Sequence, residues 1–172
     1  MVRVHPLRPE NDKTHFASGD HVLDRFLAEF AGQNMDMYLG VTYVAEESGF
    51  VLGYVTLAAC STKRDEIAQS ARRSLPAYPL PALRVARLAV DRRFHGQGIG
   101  TLLLDAAFEI ALEMTRTVGC VAVLVDAKAG AVGFYERFGF RERVALEGAS
   151  ALRPSPVLMS LPISVLEAAR EG

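Results

Sequence analysis

The stretch that most constrains this chain is LAVDRRFHGQGIGTLLLDAAFEIAL, from Leu88 to Leu112. An apolar, strand-like run breaks into three glycines at alternate positions, Gly96, Gly98 and Gly100, and then continues as a long amphipathic helix. Glycine lets the backbone approach a ligand without a Cβ in the way. A helix N-terminus presents unpaired N–H groups and the positive end of the helix dipole, both of which favour an anion. A strand, glycine loop and helix in this order predict an α/β or mixed α+β fold that carries an anion-binding loop. Spacing excludes two nucleotide loops. The dinucleotide fingerprint GxGxxG needs glycine at 103 or at 101, where Leu103 and Thr101 stand. A P-loop needs GK[ST] at the helix start, and the chain has no such tripeptide. The surviving pattern is [QR]-x-x-G-x-G, whose amides converge on a pyrophosphate. The competing reading is a tight strand-to-helix turn with no ligand.

Strands and helices interleave on either side of this unit. VRVHPL reads as a first strand, and SGDHVLDRFLAEFAGQNMDM as a helix with Ser18 and Asp20 as candidate N-caps. Val22, Leu23, Phe26, Leu27 and Phe30 recur on it at helical spacing. VTYVAEESGFVLGYVTLAACS predicts two strands around a turn at Glu47-Ser48-Gly49. KRDEIAQSARRSLPAYPLPAL is polar and then proline-rich (Pro76, Pro79, Pro81). Its flanks carry no separate cores, so a long surface loop is favoured over a domain linker. LRVARLAV predicts a strand, and CVAVLVDA a strand buried on both faces. AGAVGFYERFGF predicts a short helix ended by Gly139, and PVLMSLPI a last strand. With 172 residues, a single domain over 1–172 is expected.

Composition removes several function classes. Half of the residues are hydrophobic and 23% are charged, enough to build a core. The net charge of −1 means that a nucleic-acid partner must be met by a local basic face. Cys60 and Cys120 show no CxxC spacing and read as buried reduced thiols. The four histidines form no HExxH or HxxxH pair, so no metal is expected. The N-terminal residues carry no apolar signal segment and no run has the length of a membrane span, which predicts a soluble cytoplasmic protein.

RLAVDRRFHGQGIGTLLLDAAF resembles the acetyl-CoA-binding segment of the GNAT acetyltransferases, and FYERFGF, Phe134 to Phe140, resembles the family's later motif. The resemblance spans nearly the whole chain. It implies a mixed sheet whose fourth and fifth strands splay apart, with the pantetheine arm in the gap. Leu88, Ala89 and Val90 would offer strand amides and carbonyls to the pantetheine. His95, Gly96, Gln97, Gly98, Ile99, Gly100 and Thr101 would form the pyrophosphate loop. His95 stands at the family's Gln or Arg position; a second frame, from Arg93 with Gly96 and Gly98, starts the helix too early. Tyr135 would donate a proton to the departing thiolate, although an aromatic beside Phe134 is also compatible with a core role.

The resemblance supplies no general base: LRVARLAV has no acid where many relatives carry a glutamate, and Arg84 and Arg87 occupy this strand instead. Either water relays the proton or none is needed, since an α-amine with a pKa near ~8 is partly neutral at pH 7. The lack of a base leans toward an α-amine acceptor. Neither cysteine lies beside a histidine or at a helix start, so direct attack in a ternary complex is preferred to an acyl-enzyme.

The N-terminal half resembles the toxin branch of GNAT enzymes in toxin–antitoxin pairs. The pattern CGxxxLDxFL is matched from Ser18 through Gly19, Leu23, Asp24, Phe26 and Leu27, with Ser18 in place of Cys. This implies acetylation of the amino acid on a charged tRNA, a DNA-binding antitoxin from a neighbouring gene as partner, and compatibility with a homodimer. Lys63, Arg64, Arg72, Arg73, Arg84, Arg87, Arg92 and Arg93, with Arg137, Arg141 and Arg143, supply candidate tRNA-phosphate contacts. Two alternatives remain: a GNAT enzyme acting on a small amine or protein N-terminus, and a non-catalytic acyl-CoA-binding regulator.

Overall fold

The computed structural model describes residues 1–67, 75–143 and 156–172. Its elements in chain order are β1 (Arg3–Pro6), α1 (His21–Arg25), a π-helical turn (Phe26–Phe30), α2 (Ala31–Asp36), β2 (Val41–Glu47), β3 (Phe50–Thr62) and β4 (Leu80–Val90). They continue as α3 (Ile99–Thr117), β5 (Ala122–Ala127), α4 (Val132–Glu136), β6 (Arg141–Glu142), β7 (Val157–Pro162) and α5 (Ile163–Glu171). The fold is mixed α+β. Among the described residues, seven strands follow the order β1-β2-β3-β4-β5-β7-β6. The pairs β1–β2, β2–β3, β5–β7 and β6–β7 are antiparallel. The chain divides into two compact units, Met1–Ala58 with Val85–Glu109, and Ala59–Arg84 with Ile110–Gly172.

In the first unit, Asp20 caps α1, its carboxylate accepting from the N–H groups of Val22 and Leu23. Ser18 is not a cap. Its N–H and hydroxyl bond instead to the Asp24 carboxylate, with Oγ to Oδ1 at 2.6 Å. Ser18 and Asp24 of the CGxxxLDxFL-like pattern therefore lock the helix entry. The helical stripe is narrower than its spacing predicts: Val22 is exposed and Phe30 partly so, while Phe26, Leu27 and Ala31 are buried. The π turn explains the shift. The Ala31 N–H reaches back five residues to the Phe26 carbonyl, which rotates the following turn relative to an α-helix. Phe26 and Leu27 pack with Val44, Val51, Tyr54 and Ala89. Tyr54 is fully buried between the rings of Phe16 and Phe26 and donates to the Leu23 carbonyl at 2.7 Å. The β2–β3 hairpin turns through Ser48 and Gly49, both at positive φ, as the Glu47-Ser48-Gly49 signal predicts.

Gly53 of β3 lies where the first turns of α3 come closest. A Cβ there would meet Ile99 Cγ2 at 2.9 Å and both the Ala89 carbonyl and Leu103 Cδ1 at 3.0 Å. Gly53→Val is expected to cost about 1–3 kcal/mol through overpacking. A thermal melt should then fall by several degrees, at roughly 2–4 °C per kcal/mol for a chain of this size.

In the second unit, β4 begins at Leu80, so Pro81 lies in a strand and not in the loop expected for it. Proline lacks an N–H, but its carbonyl remains available, and Val121 N–H donates to it at 2.9 Å. Ala122, Leu124, Ala82 and Ile67 form a buried cluster. β5 is buried along its length except at Asp126. After α4, Gly139 adopts φ +99° and the Phe140 N–H returns to the Tyr135 carbonyl, ending the helix as its glycine predicts. β6 and α5 have no counterpart in the sequence reading; the apolar side of α5 is Ile163 and Leu166, both buried.

Candidate active site

The glycine loop is built entirely within the first unit. β4 ends at Val90, a short 3-10 turn spans Arg92–Phe94, and α3 begins at Ile99. That start agrees with the frame in which His95 precedes Gly98 and Gly100. Gly96 and Gly98 stand at φ +77° and +83°, where an L side chain is strained, and among the described residues a Cβ at either would meet nothing within 4 Å. Both therefore face open space in a conformation that suits glycine. Gly100 and Thr101 lie in the first turn of α3, where backbone N–H groups lack helical partners. Ile99 is buried, so only its backbone is available to a ligand. Ala89 is buried, while Leu88 and Val90 are half-buried at the strand end.

Two side chains brace the loop. A His95 ring nitrogen, Nε2, lies 2.8 Å from the Val90 carbonyl oxygen and ties the loop to the strand end. The histidine at this position thus has an intramolecular role, and a carbonyl oxygen can accept a second hydrogen bond. The other brace, Asp91, has no counterpart in the sequence reading. It is fully buried and accepts from the N–H groups of Ala17 at 3.1 Å and Arg93 at 2.9 Å. The Arg93 guanidinium reaches the two carboxylate oxygens at 3.0 Å each. Burial pushes the Asp91 carboxyl up, but these bonds together outweigh it and hold the group down at about 2. The available signal was an acid at the junction of strand and glycine loop.

A depressed carboxyl stabilises the fold above its unfolded pKa of 3.8 and loses that contribution as pH falls toward 2. The contribution at neutral pH is about 2 kcal/mol, taking roughly 1.4 kcal/mol per pKa unit. Asp91→Asn is expected to unfold at lower urea at pH 7, and its deficit should shrink as pH is lowered from about 4 to about 2. Urea titrations of both proteins at a series of pH values check this.

Tyr135 belongs to the second unit. It is buried on α4, with ring centroids 5.1 Å from Phe134 and 5.4 Å from Phe140, each edge to face. Burial pushes its hydroxyl up to about 12, so it is a phenol, able to donate, throughout the neutral range. Burial also raises the thiols of Cys60 and Cys120, in Cys60 against the pull of Arg84. Both thiols are held in their less nucleophilic form, which agrees with direct attack.

The sequence-predicted basic residues are divided. Arg72 and Arg73 lie outside the described residues. In the first unit, the Arg87 guanidinium lies 3.7 Å from the Phe26 ring centroid, Arg93 is committed to Asp91, and Arg92 is exposed. In the second unit, Arg84 pairs with Asp126 at 2.8 Å and Arg143 with Glu66 at 3.4 Å. Arg141 donates to the Phe140 carbonyl, and Arg137 lies over the Phe134 ring. Lys63 and Arg64 line a shallow pocket of about 270 Å³ with Asp65, Ala77 and Pro79. Among the described residues, no group of three or more His, Cys, Asp or Glu side chains is placed to hold a metal ion. No described helix is long and apolar enough to cross a membrane.

A glycine-lined helix start after a strand of a mixed sheet is suited to hold the phosphates of an anionic cosubstrate. The chain belongs to the GNAT acetyltransferases: the Acetyltransferase (GNAT) domain matches residues 39–142, more than half of its length. A tRNA-acetylating toxin of Mycobacterium tuberculosis is 34% identical over 131 residues, covering 76% of this chain and 78% of that protein. The toxin AtaT in complex with acetyl-methionyl-tRNAfMet superposes with a TM-score of 0.85 at 22% identity, over 99% of each chain. A tyrosine-to-phenylalanine mutant of AtaT, bound to acetyl-CoA and the C-terminus of the antitoxin AtaR, gives 0.79 at 21% identity, over 99% of each chain.

Proposed function

We propose that this protein transfers the acetyl group of acetyl-CoA to the α-amine of an aminoacyl-tRNA and thereby blocks translation. The observation that carries the reading is the 34% identity, over three-quarters of the chain, to a tRNA-acetylating toxin. In this reading residues 1–172 form one acetyltransferase domain. The fit to the donor is supported by the open space beside Gly96 and Gly98 and by the α3 N-terminus that follows them. Backbone amides from Gly96 to Thr101 would hold the pyrophosphate, with negative charge favoured by the helix dipole. Leu88, Ala89 and Val90 would align the pantetheine along the strand end.

The amine attacks the thioester carbonyl directly, and Tyr135 donates to the sulfur as negative charge develops there. N-acetylation removes the nucleophile that peptide-bond formation requires. Exposed cations such as Arg92, Lys63 and Arg64 would neutralise tRNA phosphates, which makes binding salt-dependent. The site of action is then the cytoplasm, and a DNA-binding antitoxin would hold the protein inactive. The structure of AtaT with its antitoxin supports such a partner.

Mass spectrometry of total aminoacyl-tRNA after incubation with protein and acetyl-CoA tests the reading. Acetylated aminoacyl groups support it. Transfer to small amines or protein N-termini, with no charged tRNA modified, replaces it with the broader acetyltransferase reading. Acetyl-CoA binding with transfer to no acceptor indicates a regulator.

A further inference from the structure

The acetyltransferase reading leaves the acceptor nitrogen without a protein group to receive its proton, because β4 carries no acid. The neighbouring strand carries one. Asp126 is the only exposed residue of β5, its side chain 48% accessible on a strand that is otherwise buried. Its Oδ2 accepts from Arg84 Nη1 at 2.8 Å, and among the described residues Oδ1 has no donor. Tyr135 follows on the same β5–α4 run.

The other polar groups around it are committed or unsuited. Glu66 accepts from Thr62 Oγ1 at 2.9 Å and pairs with Arg143 at 3.4 Å. Cys60 senses Arg84, Glu66 and Asp126, yet burial keeps it a thiol. A carboxylate that opens to solvent at one position of a buried strand, with one oxygen held by an arginine and the other open, is poor use of a polar residue for stability alone. An exposed ion pair of this kind contributes about 0–1 kcal/mol.

We propose that Asp126 is a catalytic residue that contacts the acceptor amine and takes its proton, and that Arg84 is a positioning residue that orients the carboxylate. The proposal rests on the acetyltransferase reading. The amine lone pair forms the C–N bond at the thioester carbonyl, and the C–S bond breaks with its electron pair passing to sulfur. Tyr135 gives its proton to sulfur. The nitrogen, positively charged as its bond forms, gives a proton to Asp126, and solvent returns that proton to Tyr135. The net change is one proton moved from nitrogen to sulfur. Asp126 acts where charge develops in the transition state, so its effect falls on turnover and not on donor binding.

The test compares wild type, Asp126→Asn, Asp126→Glu and Arg84→Gln. It uses total aminoacyl-tRNA as acceptor, rates measured across pH 6–9, and acetyl-CoA affinity by calorimetry. Asp126→Asn is expected to lose about 100-fold in kcat with acetyl-CoA Kd unchanged, a loss typical of removing a proton-transfer group. Asp126→Glu should recover part of it. Arg84→Gln should lose less and shift the pH profile. A merely structural pair would instead give Asp126→Asn and Arg84→Gln the same small loss of stability, with rates unmoved. Wild-type turnover by Asp126→Asn at every pH overturns the proposal. If wild type itself acetylates no amine, the acetyltransferase reading fails first, and this assignment falls with it.

Discussion

Tyr135→Phe is expected to lower the rate of acetyl transfer by about 100-fold or more while leaving acetyl-CoA binding intact. The range follows from removing a positioned proton donor, which typically costs 10²–10⁴-fold. Phenylalanine keeps the ring, and with it the edge-to-face contacts to Phe134 and Phe140, so folding should be unaffected. The expected split is a fall in kcat with an unchanged Kd for acetyl-CoA and an unchanged melting temperature. If Tyr135 served only as core, the same substitution would leave kcat where it was. The pH profile gives a second check. The protonated phenol is the active form, and activity is lost only as pH rises through its pKa, which burial pushes up to about 12. No falling limb from Tyr135 should appear below about pH 10, and any rise between pH 6 and 9 belongs to other groups.

The second large effect is expected at the glycine loop. Gly98→Val should weaken acetyl-CoA binding by about 100-fold or more, each tenfold corresponding to about 1.4 kcal/mol. Two causes add. A left-handed conformation costs an L residue roughly 1–2 kcal/mol, more when β-branched, and Gly98 stands at φ +83°. The side chain would also occupy the open space that a pyrophosphate needs against the backbone. Because nothing among the described residues beyond its chain neighbours lies within 4 Å of that Cβ, the variant should still fold, with a melting temperature only a few degrees lower. Isothermal titration with acetyl-CoA measures the affinity directly. Wild-type affinity in Gly98→Val would make the loop a turn and not a cradle.

Gly98 differs from Gly53 in a way that only the structure distinguishes. Both are single letters beside apolar runs. At Gly98 the missing Cβ faces open space, whereas at Gly53 it would run into Ile99, Ala89 and Leu103. One glycine is free to serve a ligand, and the other lets α3 approach β3. The same division holds among the arginines. The basic run around residues 84–93 reads as one set in the sequence, yet Arg84, Arg87 and Arg93 are tied to Asp126, Phe26 and Asp91 respectively. Charge along a chain says nothing about which partners will neutralise it.

Local chemistry was sufficient for the hairpin turn at Ser48-Gly49, the Asp20 cap, the strand–glycine loop–helix junction and the end of α4 at Gly139. Each depends on a few adjacent residues whose φ preferences or hydrogen-bonding groups act at short range. The family assignment was likewise contained in the order of two motifs. Only the tertiary structure decided that the Phe26–Phe30 turn is π-helical, that Pro81 lies within a strand, that Asp91 is a buried brace, and that Asp126 is the open position of β5. Those outcomes depend on burial and on partners far away in sequence, such as Ala17 for Asp91 and Arg84 for Asp126. Desolvation and long-range pairing are properties of packed neighbours, and a sequence lists residues without their neighbours.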